Sequence, residues 1–177
     1  MMKYFLVRMD PQFDTAPEII DWFKRIDRRD IRHGESYKIE NRQLFFIKGR
    51  PQTTFPDILS FPYFMVTEII RNVIRMYEPH TIFKEIVLLD QENSDTCTYY
   101  IPVLEYVDCL SIYSKLTKDR STILEGVLNK GKVSDCSIFY LEGVGSLYTV
   151  VRMDLVESIL RRGAKGLELN EVKLADE

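Results

Sequence analysis

One pattern of apolar and polar residues occurs twice along this chain, over residues 61–90 and 146–176. In each copy a short β-branched and aromatic run leads into a polar residue, an amphipathic stretch, a brief break and an alternating apolar run. Apolar residues that recur every three or four positions predict a helix, whereas alternation predicts a strand. The pattern therefore predicts a duplicated strand–helix–strand unit.

In the first copy, the helix has well-marked ends. Thr67 is a suitable N-cap residue, the apolar stripe continues to Tyr77, and Pro79 ends the helix soon afterwards. The next apolar run consists of Phe83, Ile86, Val87, Leu88 and Leu89. Such a run predicts a strand that is buried on much of both faces.

In the second copy, the preceding strands and the helix end are the clearest signals. Residues 137–141 and 147–151 flank a short loop with two glycines, which predicts a hairpin. Gly163 is placed as the C-cap of the helix. Residues 167–174 predict a closing strand, with a change of register near Asn170.

The N-terminal part of the chain has its own pattern. We predict a strand over residues 4–9, a helix over 16–28, a hairpin formed by 36–40 and 43–48, and a polar linker over 49–54. The apolar face expected to pack inward in this helix consists of Ile19, Ile20, Trp22, Phe23 and Ile26.

The middle of the chain is less regular. Residues 90–98 are polar and predict a hairpin loop, and residues 99–107 predict a strand in which Pro102 indicates an edge position or a bulge. Residues 115–120 are expected to form a loop. Residues 123–128 fit either a short strand or one helical turn, and the pattern does not decide between them.

A single strand–helix–strand unit is too small to be stable alone. Burying one large aliphatic side chain gains about 1.5–3 kcal/mol, whereas ordering each residue costs about 1–2 kcal/mol. Two packed units relieve this deficit, so we predict an α+β fold, a mixed sheet with the helices on one side. The linker separates an N-terminal segment, 1–54, from a region over 55–177, and we expect both to form one folded domain.

Composition restricts the class of protein. The chain has 177 residues, of which 45% are hydrophobic and 12% aromatic, and this aromatic content favours a large β component. The net charge of −3 argues against a general nucleic-acid binder, which usually carries a basic excess. No stretch approaches the ~18 apolar residues of a membrane span. We therefore expect a cytoplasmic protein that binds neither nucleic acid nor membrane.

Candidate catalytic residues are few. The cysteines Cys97, Cys109 and Cys136 form no paired motif, and the histidines His33 and His80 are adjacent to none of them. A catalytic thiol needs a nearby base, so reduced structural thiols are the simpler interpretation. The loop with two glycines lacks the spacing of a nucleotide-binding motif. We accordingly predict no catalytic residue, no metal site and no cofactor.

Three polar segments are candidate contact surfaces. Residues 28–33 form the most basic stretch, and they fit either a docking patch for an acidic partner or a solvated helix end. Residues 90–95 carry three carboxylates but lack the spacing of a calcium loop. Residues 115–120 form the third segment. The sequence does not decide which of them, if any, binds a partner.

A family resemblance rests on the run YYIPVLEYVDC over residues 99–109, the later Ile138-Phe139 strand, Glu142-Gly143, and residues 151–172. Their order and spacing resemble a bacterial family, formerly a domain of unknown function, that is described as immunity protein family eleven of polymorphic toxin systems. The resemblance covers about residue 61 to the end of the chain. The family has no catalytic motif to transfer.

The resemblance implies a non-catalytic protein that neutralises a cognate, contact-delivered toxin by binding it. Two other interpretations remain open at this point. One is a small hydrolase that uses Asp108, His33 or Cys109, which requires these groups to lie within hydrogen-bond reach of each other. The other is an adaptor or assembly domain whose partner is not a toxin. The interface residues stay unknown from sequence.

Overall fold

The computed structural model describes residues 2–133, 135–145 and 147–177. Within these ranges the chain forms two α-helices, α1 over Glu68–Tyr77 and α2 over Met153–Arg161, and thirteen strands. The strands are β1 Tyr4–Met9, β2 Arg42–Phe46, β3 Ile58–Leu59, β4 Met65–Val66, β5 Ile82–Asp90, β6 Asp95–Val103, β7 Tyr106–Val107, β8 Lys115–Leu116, β9 Ile123–Glu125, β10 Val127–Asn129, β11 Ile138–Leu141, β12 Thr149–Arg152 and β13 Leu167–Ala175. The predicted α+β class is confirmed.

The strands form two large mixed sheets and one two-stranded sheet. The six-stranded sheet has the order β10-β13-β1-β12-β11-β7, and the five-stranded sheet has the order β2-β5-β6-β4-β3. The pairs β10/β13, β7/β11 and β2/β5 are parallel, and the other pairs in these sheets are antiparallel. Helix α1 contacts β4 and β6, α2 contacts β12, and the two helices contact each other.

The two strand–helix–strand units have the same local topology. Strands β4 and β5, joined by α1, are both antiparallel to β6 and therefore parallel to each other, with β6 between them. Strands β12 and β13, joined by α2, have the same relation to β1. The helices and strands of both units lie where the sequence places them. Ser146, where the second predicted unit begins, lies outside the described residues, and the duplication itself stays a prediction.

The predicted helix over residues 16–28 is wrong. The Ile20 amide donates to the Phe46 carbonyl at 3.0 Å, and the Lys48 amide donates to the Glu18 carbonyl at 2.9 Å. These backbone groups pair with the end of β2 and the residues just after it, and so do not form helical i→i−4 bonds. Lys24 also has φ +60°, which is outside the right-handed helical region. The segment is irregular, with one isolated β-bridge between Ile19 and Ile47 and a turn that contains Lys24.

The predicted hairpin over residues 36–48 is also wrong. Ser36–Lys38 forms a short 3-10 helix, and β2 pairs in parallel with β5 rather than with the residues before it. Phe45 of β2 is completely buried by this pairing. The alternation of residues identifies a strand correctly but carries no information about its partner.

Strand β13 shows no change of register near Asn170, contrary to the prediction. It pairs with β1 without interruption along the whole of β1. The apolar residues of β13 shift from odd to even positions because the two halves of the strand pack against different cores. Leu167 and Leu169 pack against the larger core, and Val172 and Leu174 pack against a smaller apolar core on the opposite face of the sheet. The larger core therefore covers one face of the sheet at the start of β13, and the smaller core covers the opposite face at its end.

In the middle of the chain, the predicted strand over residues 99–107 is divided between two sheets. Strand β6 ends at Val103 in the five-stranded sheet, and β7 belongs to the six-stranded one. Residues 90–98 do contain a hairpin, with a loop of only 91–94. Lys115 and Leu116 form β8, so the loop predicted over 115–120 is partly wrong, and residues 123–128 are strands rather than a helical turn.

The N-terminal segment contributes to both large sheets. Strand β1 lies between β12 and β13, and β2 lies at the edge of the five-stranded sheet beside β5. The larger apolar core joins residues of both sheets and both helices. In the described part of the chain, no helix is long and apolar enough to cross a membrane.

Candidate interaction surface

Two of the three predicted contact segments meet at the loop over residues 142–145. The Arg32 guanidinium donates two hydrogen bonds, of 3.0 and 3.1 Å, to the Glu142 carboxylate, and it stacks 3.8 Å from the centre of the Tyr106 ring. These hydrogen bonds raise the pKa of Arg32. Arg120 donates to the Gly143 carbonyl at 3.3 Å. Basic residues 28–33 and polar residues 115–120 are thus brought to one loop.

Most of the arginines in the basic segment already have internal partners. Arg28 donates to the Pro62 carbonyl at 2.8 and 3.1 Å. Arg29 donates to the Asp27 carboxylate, and these hydrogen bonds lower the pKa of Asp27 to about 2. The arginines of this segment therefore hold neighbouring parts of the chain together, in addition to carrying positive charge at the surface.

The acidic segment, residues 90–95, is less open than its sequence implies. Asp90 is buried, and its carboxylate accepts hydrogen bonds from the Glu92 amide and from the amide and side chain of Asn93. The side-chain hydrogen bond from Asn93 is the main cause of the lowered pKa of Asp90. Asp90 closes the hairpin turn, and Glu92 and Asp95 are the carboxylates of this segment that face solvent.

Among the described residues, His33, Asp108 and Cys109 line neither the cleft that contains Leu6 and Thr149 nor the groove that contains Met9 and Phe61. His33, His80 and Asp108 are exposed. Cys109 is completely buried, and burial raises the pKa of the Cys97 and Cys109 thiols to about 11. A thiol with such a pKa is almost entirely protonated at neutral pH, so it is a poor nucleophile.

Two further observations concern ionisable groups. The Cys136 thiol donates to the Glu105 carboxylate at 3.0 Å. Among the described residues, no group of three or more His, Cys, Asp or Glu side chains is positioned to hold a metal ion.

A patch of exposed aromatic side chains lies where the sequence predicts a buried helix face. Phe23 is 69% exposed and Phe61 is 61% exposed. Both rings contact Trp22 edge-to-face, with centroid distances of 5.8 Å to Phe23 and 5.0 Å to Phe61. We call these three residues the aromatic patch. Ile20, two residues before Trp22, is also 60% exposed.

The backbone around the patch is fixed by several contacts. The Arg25 amide donates to the Trp22 carbonyl at 3.2 Å, which closes the turn that contains Lys24. The buried Tyr63 hydroxyl donates to the Trp22 and Ile26 carbonyls at 3.3 and 3.2 Å. The aromatic rings are therefore held at the surface by a bonded turn rather than by a mobile loop.

A groove of about 540 Å³ adjoins the patch at Phe61. Its apolar wall includes Met9, Phe13, Ile19 and Leu59. An ion pair between Arg50 and Glu18, at 2.9 Å, lies at its border. Projecting aromatic rings beside an apolar groove supply both a convex and a concave element for contact with another protein.

The sequence contains no signal that separates the exposed side chains of this surface from the buried ones. The five large apolar residues within 19–26 all fit one face of a helix, so their spacing predicts that they are buried together. In the structure Ile19 and Ile26 point into the core, whereas Ile20 and Phe23 point outward. The direction of each side chain depends on pairing with residues 46–48, which the local sequence does not reveal.

No protein-family model and no curated protein matches this chain. The resemblance to immunity protein family eleven therefore stays a prediction that rests on the residues given above.

Proposed function

We propose that this chain is a non-catalytic binding protein of the immunity kind, which neutralises a cognate protein toxin by direct contact in the cytoplasm. The single observation that carries the proposal is the aromatic patch. The family resemblance supplies the expected partner, a toxin domain. The two lines of support are largely independent, because the resemblance begins at about residue 61 and two of the three patch residues precede it.

The exposure of the patch supports a contact role. Soluble proteins seldom expose adjoining large apolar side chains unless these residues form an interaction site. Trp and other large aromatic residues are prominent in protein interfaces, and Trp is among the residues that most often dominate binding energy. A standard interface buries about 800 Å² on each partner. The patch and its adjoining groove occupy one continuous region, because Phe61 belongs to both.

The charges around the patch indicate the chemistry of the partner. Arg25 and Arg29 are paired with Asp21 and Asp27. Lys24 and Arg28 have no carboxylate within ion-pair distance among the described residues. A partner with an apolar centre and acidic residues at its rim fits this arrangement, because complementary charge favours both encounter and specificity.

The proposal is tested by co-expression with the toxin domain encoded in the adjacent gene. We expect the wild-type chain to restore growth and to elute with the toxin in one gel-filtration peak. Phe23→Ala should weaken the complex by about tenfold or more, because truncating a central aromatic residue of an interface commonly costs 1.4 kcal/mol or more. Tyr37→Ala, which removes an aromatic ring that is 78% exposed elsewhere, is the matched control.

Each result has a definite meaning. Absence of a complex with the wild-type chain rejects the toxin as partner. A complex that leaves growth inhibited contradicts neutralisation and favours the adaptor interpretation. Equal affinity of Phe23→Ala and wild type, with both proteins folded, contradicts the role of the aromatic patch.

A further inference from the structure

A small pocket of about 120 Å³ lies between the basic segment and the loop over residues 142–145. Its charged lining consists of three arginines and one carboxylate, Arg28, Arg29, Arg32 and Glu142. Sites for whole small molecules usually have volumes of roughly 300–1,000 Å³, so this pocket has room for one functional group of a ligand. Clustered arginines are a common means by which proteins recognise phosphate groups.

Each of the three arginines keeps hydrogen-bond donors that the fold does not use. Arg28 and Arg29 bond to their internal partners through Nε and Nη2, whereas Arg32 bonds through Nη1 and Nη2. Among the described residues, Nη1 of the first two and Nε of Arg32 therefore have no hydrogen-bond partner. A guanidinium carries five N–H donors in a rigid fork that matches the geometry of a phosphate. The internal contacts thus leave every one of these side chains with a donor for an anion.

Tyr106 supplies a further donor at the same pocket. Its side chain is half-buried, and its hydroxyl is accessible and makes no hydrogen bond within the described part of the chain. Burial raises the pKa of Tyr106 to about 12, so the hydroxyl stays protonated at neutral pH and can donate to an anion. The charges that act on this hydroxyl come from Arg32, Glu142 and Arg28, all of which line the pocket.

The charges around the pocket are not balanced. Arg120 joins the group because its guanidinium donates to the carbonyl of Gly143, which lies in the pocket wall. Four guanidinium groups thus meet two carboxylates, those of Asp27 and Glu142. Arg28 and Arg120 have no carboxylate within ion-pair distance among the described residues. A phosphate monoester carries about −1.5 to −2 charges at pH 7, which matches two unpaired cations better than a single carboxylate does.

We propose that this pocket binds the phosphate group of a phosphate monoester, with Arg28, Arg32 and the Tyr106 hydroxyl as its direct contacts. The salt bridge to Glu142 and the stacking on the Tyr106 ring hold Arg32 in place before a ligand arrives, which lowers the entropic cost of binding. The pocket lining shares no residue with the aromatic patch. The inference therefore does not rest on the proposed function.

NMR titration of the isotope-labelled chain at constant ionic strength tests the class of ligand, with methyl phosphate and acetate as probes. We expect saturable shifts from methyl phosphate at the amides of Gly143 and Gly145 and at the Nε–H groups of Arg28 and Arg32. Acetate should bind at least about tenfold more weakly, because it carries half the charge. Binding of methyl phosphate should strengthen from pH 5 to 7, since a phosphate monoester loses its second proton near pH 6.

Two results overturn the proposal at this stage. One is the absence of saturable shifts from methyl phosphate. The other is equal binding of acetate and methyl phosphate, which would show an adventitious anion site only. A short peptide with one phosphoserine identifies the source of the group. Saturable binding of the peptide that is tighter than that of methyl phosphate supports a phosphorylated protein as ligand, and weaker binding supports a free monoester.

Two substitutions with opposite expected effects separate a phosphate site from a folding role of these side chains. Arg28→Gln removes an unpaired cation and should weaken binding of methyl phosphate by about tenfold or more. Glu142→Gln removes the anion from the lining and should strengthen binding by about fivefold, the effect of one unit charge at about 4 Å in water. Arg161→Gln, an arginine of α2 that pairs with Glu157, is the matched control. Unchanged binding in Arg28→Gln, or weaker binding in a folded Glu142→Gln variant, contradicts the assignment.

Discussion

At the scale of single residues, the polar side chains of this protein act mainly on the chain itself. Thr67 precedes α1 as predicted, but its hydroxyl donates to the Asp57 carboxylate at 2.6 Å and accepts no capping hydrogen bond from the amides of the helix. The Asp57 carboxylate also accepts a hydrogen bond from the Lys165 amide at 2.7 Å. It therefore connects the residue before α1 with the segment before β13. Such links join distant positions, and a local sequence pattern cannot reveal them.

The Asp90 carboxylate predicts how the free energy of unfolding depends on pH. Its pKa is lowered in the folded protein, chiefly by the side-chain hydrogen bond from Asn93. Stability from a carboxylate with a lowered pKa is present above its unfolded value, about pH 4, and is lost as the pH falls through the folded value. We expect Asp90→Asn to lower the free energy of unfolding at pH 7, with the difference from wild type shrinking as the pH falls below about 4.

Urea denaturation of both proteins across this pH range measures the effect of Asp90. Glu92→Gln, an exposed carboxylate in the same loop, is the matched charge control. A difference between Asp90→Asn and wild type that stays constant from pH 7 to acid would show that the charge of Asp90 does not stabilise the turn.

At the scale of elements, the contact between α1 and α2 includes a polar link made by the Tyr77 hydroxyl. The Tyr77 hydroxyl donates to the Asp154 carbonyl at 3.0 Å and lies 2.6 Å from Ser158 Oγ. Tyr77→Phe keeps the ring but removes both interactions. We expect the free energy of unfolding to fall by about 0.5–1.5 kcal/mol per lost hydrogen bond, measured in urea with an unchanged m-value.

Tyr113→Phe is the control for this helix contact, because Tyr113 is 61% exposed. If Tyr77→Phe is as stable as wild type, the hydroxyl does not contribute to holding the two helices together.

The helices and strands also show which parts of the fold the sequence pattern predicts. Helices α1 and α2 and strands β1, β5 and β11 were predictable, because their apolar period and end residues are local properties. The segment over residues 16–28 was not, since its backbone pairs with residues 46–48 and this non-local pairing overrides a helical spacing of side chains. The partner of β2 was hidden for the same reason.

For the candidate surfaces, too, the sequence predicts local properties but not the contacts that depend on the fold. The basic and acidic segments were visible as charge runs, but the burial of Asp90 and the pairing of Arg32 with Glu142 required the fold. Phe23 was recognised as a large apolar residue and assigned to the wrong side of the chain. A hydrophobic position alone does not reveal whether the folded backbone directs it inward or outward.

At the scale of the whole molecule, the N-terminal segment combines a structural role with most of the proposed contact surface. It supplies β1, which lies inside the six-stranded sheet, and it carries Trp22 and Phe23 of the aromatic patch. Because β1 and residues 19–26 both contribute to the larger core, this core holds the aromatic patch in place beside the six-stranded sheet.

The measurement that tests the central claim most directly is hydrogen–deuterium exchange of the chain, alone and in complex with the toxin domain encoded beside it. Contact at the aromatic patch predicts slower exchange over residues 20–26 and around Phe61, with residues 91–94 unchanged. Protection confined to residues 91–94 or to the loop over 142–145, or no protection anywhere, would contradict the account.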